Sequence, residues 1–167
     1  MLTYVKRMKD LNFGQLMSVY EESNRENGQE FWPDLPEGQQ LLQAEQEFYQ
    51  YLQACFFKTE GAFYALWSEN GRYVSGLRLE PYQDGLLLEA LETAPEARRN
   101  GYAKMLIRAV QDLPEIRKIY SHVHKKNTAS IKTHESCGFR RILDYAVYID
   151  GSVRGNSYTY CYEKMAR

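Results

Sequence analysis

The sequence predicts an α+β domain in which one layer of mixed, mostly antiparallel sheet carries about four helices on its faces. Three observations give this class. Apolar residues recur at helical spacing through most of residues 11–57. From Ala62 the period changes to the alternation of strands, around an Asn70-Gly71 pair that is the strongest short hairpin signal. Two more helical segments then interleave with strands. The predicted order is strand, two helices, three antiparallel strands, helix, strand, helix, two strands.

Residues 3–9 read as a short first strand, with Asp10 as a candidate helix cap. In residues 11–27, Leu11, Leu16, Val19 and Tyr20 fall near one helical face, and Asn27-Gly28 ends the pattern. The two prolines of residues 29–38 mark a loop. Residues 39–57 read as a second helix carrying Leu41, Leu42, Phe48, Leu52 and Phe56. Residues 62–82 form the hairpin, and 85–94 a third strand. A helix over 101–112 turns Ala103, Leu106, Ile107 and Val110 inward. Residues 116–124 are a strand, and 128–138 a helix stopped by Gly138. Residues 139–149 and 157–165 are the last two strands, linked by 150–156.

A chain of 167 residues suits one domain spanning 1–167. Its 44% hydrophobic and 26% charged residues are ordinary for a globular protein. No apolar run approaches the roughly 20 residues of a membrane span, and the N-terminus has no signal-peptide apolar region. Cys55, Cys137 and Cys161 are scattered without metal-ligand spacing, so a reducing, cytoplasmic setting is expected. Charge is divided. Residues 1–60 hold 5 Lys/Arg against 10 Asp/Glu, and residues 61–167 hold 16 against 12. The basic residues form no long run, which argues against nucleic acid.

Between the strand of 85–94 and the helix of 101–112 lies a basic, glycine-containing turn, Ala97-Arg98-Arg99-Asn100-Gly101-Tyr102-Ala103-Lys104. A helix N-terminus offers unpaired N–H groups and a positive dipole end, and Gly101 lets the backbone approach an anion closely. Successive N–H groups from Arg99 to Lys104 can form a nest around a pyrophosphate, with Arg98 or Arg99 reaching its oxygens. The plainer reading is a helix start with solvated arginines. A dinucleotide fingerprint, Gly-x-Gly-x-x-Gly, is absent.

A second segment pairs with this one: Asn127-x-x-Ser130, then His134, then Gly138-Phe139. Together the two segments resemble the GNAT superfamily of N-acetyltransferases. That family has Gln/Arg-x-x-Gly-x-Gly/Ala at its pyrophosphate site and, later, Asn-x-x-Ala, a tyrosine and Gly-Phe at this spacing. The order of elements is also similar, so the resemblance covers nearly the whole chain. It implies acetyl-coenzyme A as donor, bound by Arg98, Arg99, Asn100, Gly101, Tyr102, Ala103 and Lys104, with Asn127 and Ser130 on the far side. It also implies that the strand of 86–93 bulges and splays from that of 117–123, so that Leu91, Glu92 and Thr93 line a gap for the pantetheine arm.

The implied reaction is attack of a primary amine on the acetyl thioester. Glu89, in strand parity with Leu91 and Thr93, is the candidate base. Glu92 has opposite parity but adjoins the gap, and a bulge can redirect it. His134 stands where the family commonly has the tyrosine that protonates the leaving thiolate; catalytic and packing roles both stay open. Asn127 can bind the arm, cap its helix, or both. His122 and His124 form a His-x-His pair without a third ligand, so no metal is expected. Tyr158, Tyr160 and Tyr162 share a strand face as packing, or as an alternative source of the acid. The expected partners are acetyl-coenzyme A and a small or peptide amine, without nucleic acid or membrane, and a homodimer is allowed. The competing function is an acyl-coenzyme A-binding sensor or assembly module without turnover.

Overall fold

A computed structural model describes residues 1–166. Among these residues the chain runs β1 (Leu2–Val5), α1 (Phe13–Val19), α2 (Glu21–Phe31), α3 (Glu37–Ala54), β2 (Phe63–Glu69), β3 (Arg72–Tyr82) and β4 (Gly85–Thr93). It continues with α4 (Tyr102–Gln111), β5 (Lys118–His124), α5 (Thr128–Ser136), β6 (Arg140–Leu143), β7 (Ala146–Val147), β8 (Val153–Arg154) and β9 (Ser157–Glu163). Seven strands form one mixed sheet in the order β1-β2-β3-β4-β5-β9-β6, and β7 and β8 pair separately. In that sheet β4 and β5 are parallel and every other neighbouring pair is antiparallel. The predicted α+β class and its mostly antiparallel sheet are both present. No helix among the described residues is long and apolar enough to cross a membrane.

The sheet separates two cores because β-strand side chains alternate in direction. On one face Phe63, Ala65, Leu77, Leu79 and Leu88 pack under Leu106, Ile107 and Val110 of α4. On the other, Tyr64 and Leu66 meet Leu16, Val19 and Tyr20 of the α1–α2 region and Leu52 of α3. Leu106, Ile107 and Val110 are fully buried, as their helical spacing predicted. Each contributes on the order of 2 kcal/mol by burial.

Several boundaries differ from the sequence reading, each for a local reason. The predicted helix of 11–27 is two helices, giving five in place of about four. The chain bends at Tyr20 (φ −98°, ψ 12°), although hydrogen bonds continue across the bend from Tyr20 to Leu16 and from Asn24 to Tyr20. The cap of α1 is Asn12, whose side chain accepts from the Gln15 N–H at 3.1 Å, whereas Asp10 pairs with Arg7. α2 continues through Phe31, beyond the expected stop at Gly28. The segment 139–149 divides into β6 and β7, and the predicted linker contributes β8. Asn70 and Gly71 take left-handed angles of φ 49° and 75°, as a two-residue hairpin turn requires.

Candidate active site

The strands β4 and β5 part. Their parallel ladder holds Leu86 to Ile119, Leu87 to Tyr120 and Leu88 to Ser121, and then ends. On its other edge, β4 shifts register against β3. Arg78 pairs with Glu89 but Gly76 with Glu92, which leaves Ala90 and Leu91 together opposite Leu77. This bulge bends β4 away from β5. Ala90 sits at φ 51°, an unfavourable angle for an L-residue. The Tyr20 hydroxyl donates to the Ala90 carbonyl at 2.5 Å and holds it there. Regular contact with β3 resumes through the Ser75 hydroxyl, which donates to the Glu92 carbonyl at 3.0 Å and lies 3.0 Å from Oγ1 of Thr93.

A cavity of about 180 Å³ occupies the gap, lined by Leu88 to Leu91 of β4, Ser121 to His124 of β5, and Asn127, Ser130 and His134. It lies at the carboxyl ends of the two parallel strands, where open sheets of this kind bind ligands. A larger cavity of about 820 Å³ opens at their amino ends, beside Gly85 and Lys118. Size alone favours it. Chemistry favours the smaller one, which holds two buried polar atoms without partners among the described residues, Oε2 of Glu89 and Nε2 of His122; none of the described residues places such an atom on the larger cavity.

At the same end of the sheet, the turn after β4 exposes main-chain donors. Arg99 and Gly101 both adopt positive φ, 65° and 77°. None of the backbone N–H groups of residues 99–104 meets an acceptor among the described residues. A Cβ at Gly101 would have nothing within 4 Å, so the ground above this turn is open. Asn100 braces the turn by donating to the Ala97 carbonyl at 2.9 Å. Six free N–H groups at the start of a ten-residue helix suit a polyanion such as a pyrophosphate. Arg98 is held elsewhere: it donates to the Thr93 carbonyl at 3.3 Å and pairs with Glu22 of α2 at 3.1 Å.

The face toward α3 carries buried charge. The Arg78 guanidinium lies 5.0 Å above the Tyr51 ring and 5.7 Å and 5.6 Å from those of Phe48 and Phe56. Beside it are Glu89 and Glu80, each with one buried oxygen lacking a hydrogen-bond partner. Burial pushes the Glu89 carboxyl up to about 8; Glu80 adds to the rise and Arg78 opposes it. The bulge breaks the parity read from the sequence. Leu91 packs in the α4-side core, whereas Ala90 packs on the α3 side with Arg78 and Glu89. Glu92 is redirected toward α2, where its carboxylate accepts from the Ser23 hydroxyl at 2.8 Å. Burial raises the Glu92 carboxyl as well.

On the α5 side, Asn127 caps its helix by accepting from the Ser130 N–H at 3.1 Å. His134 is 2% exposed. Its Nδ1 donates to the Ser130 carbonyl at 2.7 Å, so in the neutral ring Nε2 accepts from the Ser121 hydroxyl at 2.8 Å. Burial lowers this imidazole below its usual value, against the opposing effect of the Ser130 carbonyl.

Of the residues singled out in the sequence, Glu89, Leu91, Asn127, Ser130 and His134 converge on the cavity. Glu92 and Thr93 lie past the bulge and do not line it, nor do residues 98–104, which form the turn before α4. Sequence reasoning missed Tyr20, Arg78, Glu80 and Ser121. It met His122 only as a metal candidate. Arg78 and Glu80 did leave a signal: two charged residues at alternate positions of a strand otherwise facing a core. Tyr20 left none.

The sequence matches the model of the Acetyltransferase (GNAT) family over residues 17–139. No curated protein sequence matches it. Among solved structures it is similar to the PaiA N-acetyltransferase of Thermoplasma acidophilum in complex with coenzyme A, with TM-score 0.65, 13% identity and coverage of 98% of this chain and 99% of that one. It is similar to the ribosomal-protein-S18-alanine N-acetyltransferase of Escherichia coli, with TM-score 0.65, 18% identity and coverage of 100% and 97%. An aminoglycoside 6'-acetyltransferase type Ii gives TM-score 0.65, 12% identity and coverage of 100% and 99%. At these identities the structural likeness establishes the fold.

Proposed function

The chain belongs to the GNAT acetyltransferase family, and from that premise we propose that it is an acetyl-coenzyme A-dependent N-acetyltransferase acting on a primary amine by direct attack. One observation carries the reading: the β4–β5 ladder opens after Leu88 and Ser121 onto a cavity lined by the Glu89 carboxyl, at the end of the sheet where β4 leads into a turn with free N–H groups. Acetyl-coenzyme A supplies the acetyl thioester. The N–H groups of Arg99, Asn100, Gly101, Tyr102, Ala103 and Lys104 bind its pyrophosphate, and Arg98, anchored on Glu22, adds positive charge at the rim.

The backbone of Leu91, Glu92 and Thr93, released from β5, hydrogen-bonds the pantetheine amides as an added strand would. One N–H of this segment holds the thioester oxygen as negative charge develops on it. Asn127 and Ser130 bound the arm opposite. Glu89 removes a proton from the amine; a carboxyl near 8 is close to the pH at which it works, which suits a general base. His134 serves the departing sulfur through Ser121 in its imidazolium form, a minor one at the pH where Glu89 is ionised: its Nε2–H then donates to the serine oxygen and frees the hydroxyl proton for sulfur. A thiol of pKa about 8.5 leaves adequately without this help. The three free cysteines agree with a reducing, cytoplasmic setting.

A second reading, an acyl-coenzyme A-binding module without turnover, is favoured by the same His134, because its neutral ring has no proton on Nε2 to give. Thermal unfolding with acetyl-coenzyme A, followed by thiol release across a panel of primary amines, separates the two. The enzyme shows a rise in Tm and amine-dependent thiol release. A rise in Tm without thiol release favours the module, and neither effect overturns both.

A further inference from the structure

Glu89 and His122 are the first residues beyond the last rung of the β4–β5 ladder, and they share one face of the sheet. Leu87 pairs with Tyr120 and Leu88 with Ser121, so positions 89 and 122 continue the face of Leu87 and Tyr120. The two side chains flank the gap from opposite strands, and both line its cavity. Nε2 of His122, like Oε2 of Glu89, is buried with no hydrogen-bond partner among the described residues. A buried polar atom without a partner is unfavourable, and a functional site is where a ligand can supply one.

The His122 ring is clamped by aromatic edges. Tyr82 meets it at 5.6 Å and 84°, and Tyr148 at 5.1 Å and 88°. The Tyr82 hydroxyl is tied to the Val147 carbonyl at 2.5 Å, and the Arg154 guanidinium lies 5.6 Å above the Tyr148 ring. Packing therefore fixes the imidazole while Nε2 stays free to bond.

Acyl transfer to an amine has a proton balance that one base does not close. The acceptor arrives as an ammonium, since a lysine-type amine has a pKa of about 10.4. One proton must leave to free the lone pair, and a second leaves nitrogen as the amide forms. Resting on the acetyltransferase reading above, we propose that His122 is the second proton acceptor of this site, with Nε2 hydrogen-bonded to the amine that Glu89 deprotonates. Glu89 takes the first proton. The nitrogen lone pair forms the C–N bond, the C–S bond breaks with its electron pair on sulfur, and Nε2 takes the second proton. Of the two protons removed, the balance leaves one on the thiol and one in solvent.

Burial lowers the His122 imidazole below its usual value, which keeps it in the neutral, accepting form. The titratable groups facing it are Glu89 from β4, Tyr82 from β3, Tyr120 and His124 along β5, Cys161 from β9 and Tyr148 after β7; Arg154 brings positive charge to the same side.

The test follows kcat against pH by thiol release, with acetyl-coenzyme A and the best acceptor from a panel of aliphatic and peptide amines. It compares the full-length wild type, His122→Phe and Glu89→Gln. His122→Phe keeps an aromatic ring in the clamp and removes the nitrogen. We expect kcat to fall by about 10²-fold, with the acetyl-coenzyme A thermal shift unchanged as evidence of a folded, donor-binding protein. In the wild type the rate falls with one proton as pH drops through about 8, then more steeply below the lowered pKa of His122. His122→Phe loses the lower step and keeps the one near 8, whereas Glu89→Gln keeps the lower step alone. Wild-type kcat and an unaltered pH profile in His122→Phe overturn this role and leave the acetyltransferase reading standing. A wild type that neither responds to acetyl-coenzyme A nor releases thiol with any amine overturns both.

Discussion

The hydroxyl of Tyr20, at the bend between α1 and α2, donates to the carbonyl of Ala90 at the bulge of β4, across 70 residues of sequence and 2.5 Å of space. The bond ties the first helices to the point where the sheet opens. Tyr20 is 2% exposed and its ring packs on Phe48 and Tyr64, so the hydroxyl has little freedom to point elsewhere.

Tyr20→Phe deletes that bond alone. Denaturant unfolding should show a loss of about 1 kcal/mol, and the KM for acetyl-coenzyme A should rise several-fold while kcat changes less. Ala90→Gly keeps the left-handed angle available and should stay within about 1 kcal/mol of the wild type. Ala90→Val places a β-branched residue at φ 51° and should lose about 2 kcal/mol. Equal tolerance of Gly and Val at position 90 would contradict the bulge as described.

Gly101→Val tests the anion cradle. A Cβ at this position meets no described protein atom within 4 Å, so the fold should survive apart from strain at φ 77° of about 1–2 kcal/mol. A β-branched side chain there adds bulk beside the free N–H groups of the turn. Isothermal titration should show coenzyme A affinity reduced at least 10-fold, while the circular dichroism spectrum is retained. Undiminished affinity would place the pyrophosphate elsewhere.

Glu89→Gln tests the base. With the wild-type carboxyl near 8, kcat at saturating acceptor should climb with pH through that value, because only the ionised form accepts a proton. The glutamine variant should lose 10²- to 10⁴-fold in kcat and the climb with it. Retention of the same pH dependence in the variant would assign it to another group.

His134→Phe and Ser121→Ala divide the acid from its bland alternative. If the pair delivers a proton to sulfur, each variant lowers kcat more than it weakens acetyl-coenzyme A binding, and the two losses do not add in the double variant, because they act as one relay. If His134 only packs, stability falls and kcat at saturation is preserved.

The charge division predicts the acceptor. The acidic residues of the first 60 lie largely on α2 and α3, beside the Glu89 face, and most are exposed. A cationic amine should be preferred over a neutral or acidic one. Catalytic efficiency should drop as salt rises, since the screening length shrinks from about 10 Å at 0.1 M to about 3 Å at 1 M. Glu26→Gln and Glu30→Gln should reproduce part of that drop, and salt-independent kinetics would show that these charges do not steer.

Much of the candidate site was legible because it depends on local chemistry. The Arg98–Lys104 turn needs only its own residue types to expose N–H groups at a helix start, and Asn127 caps the helix that immediately follows it. Glu89 was legible as a carboxylate facing the gap, yet its shared parity with Leu91 and Thr93 was misread, because strand parity assumes one residue per rung and the bulge places two. His122 was passed over as a metal ligand without partners. Its interest comes from a missing hydrogen bond, which no sequence displays.

By itself, then, the sequence determined what periodicity and short motifs encode: the α+β class, the hairpin at Asn70-Gly71, the inward face of α4 and the glycine-containing turn at its start. These are decided within a few residues by backbone geometry and side-chain alternation. The tertiary structure alone decided where the β4–β5 ladder ends, which face Glu89 takes, and which atoms are buried without partners. Those outcomes depend on contacts such as Tyr20 with Ala90 and His134 with Ser121, between residues far apart in the chain, whose free energy exists only once the sheet and its two layers of helices have closed around them.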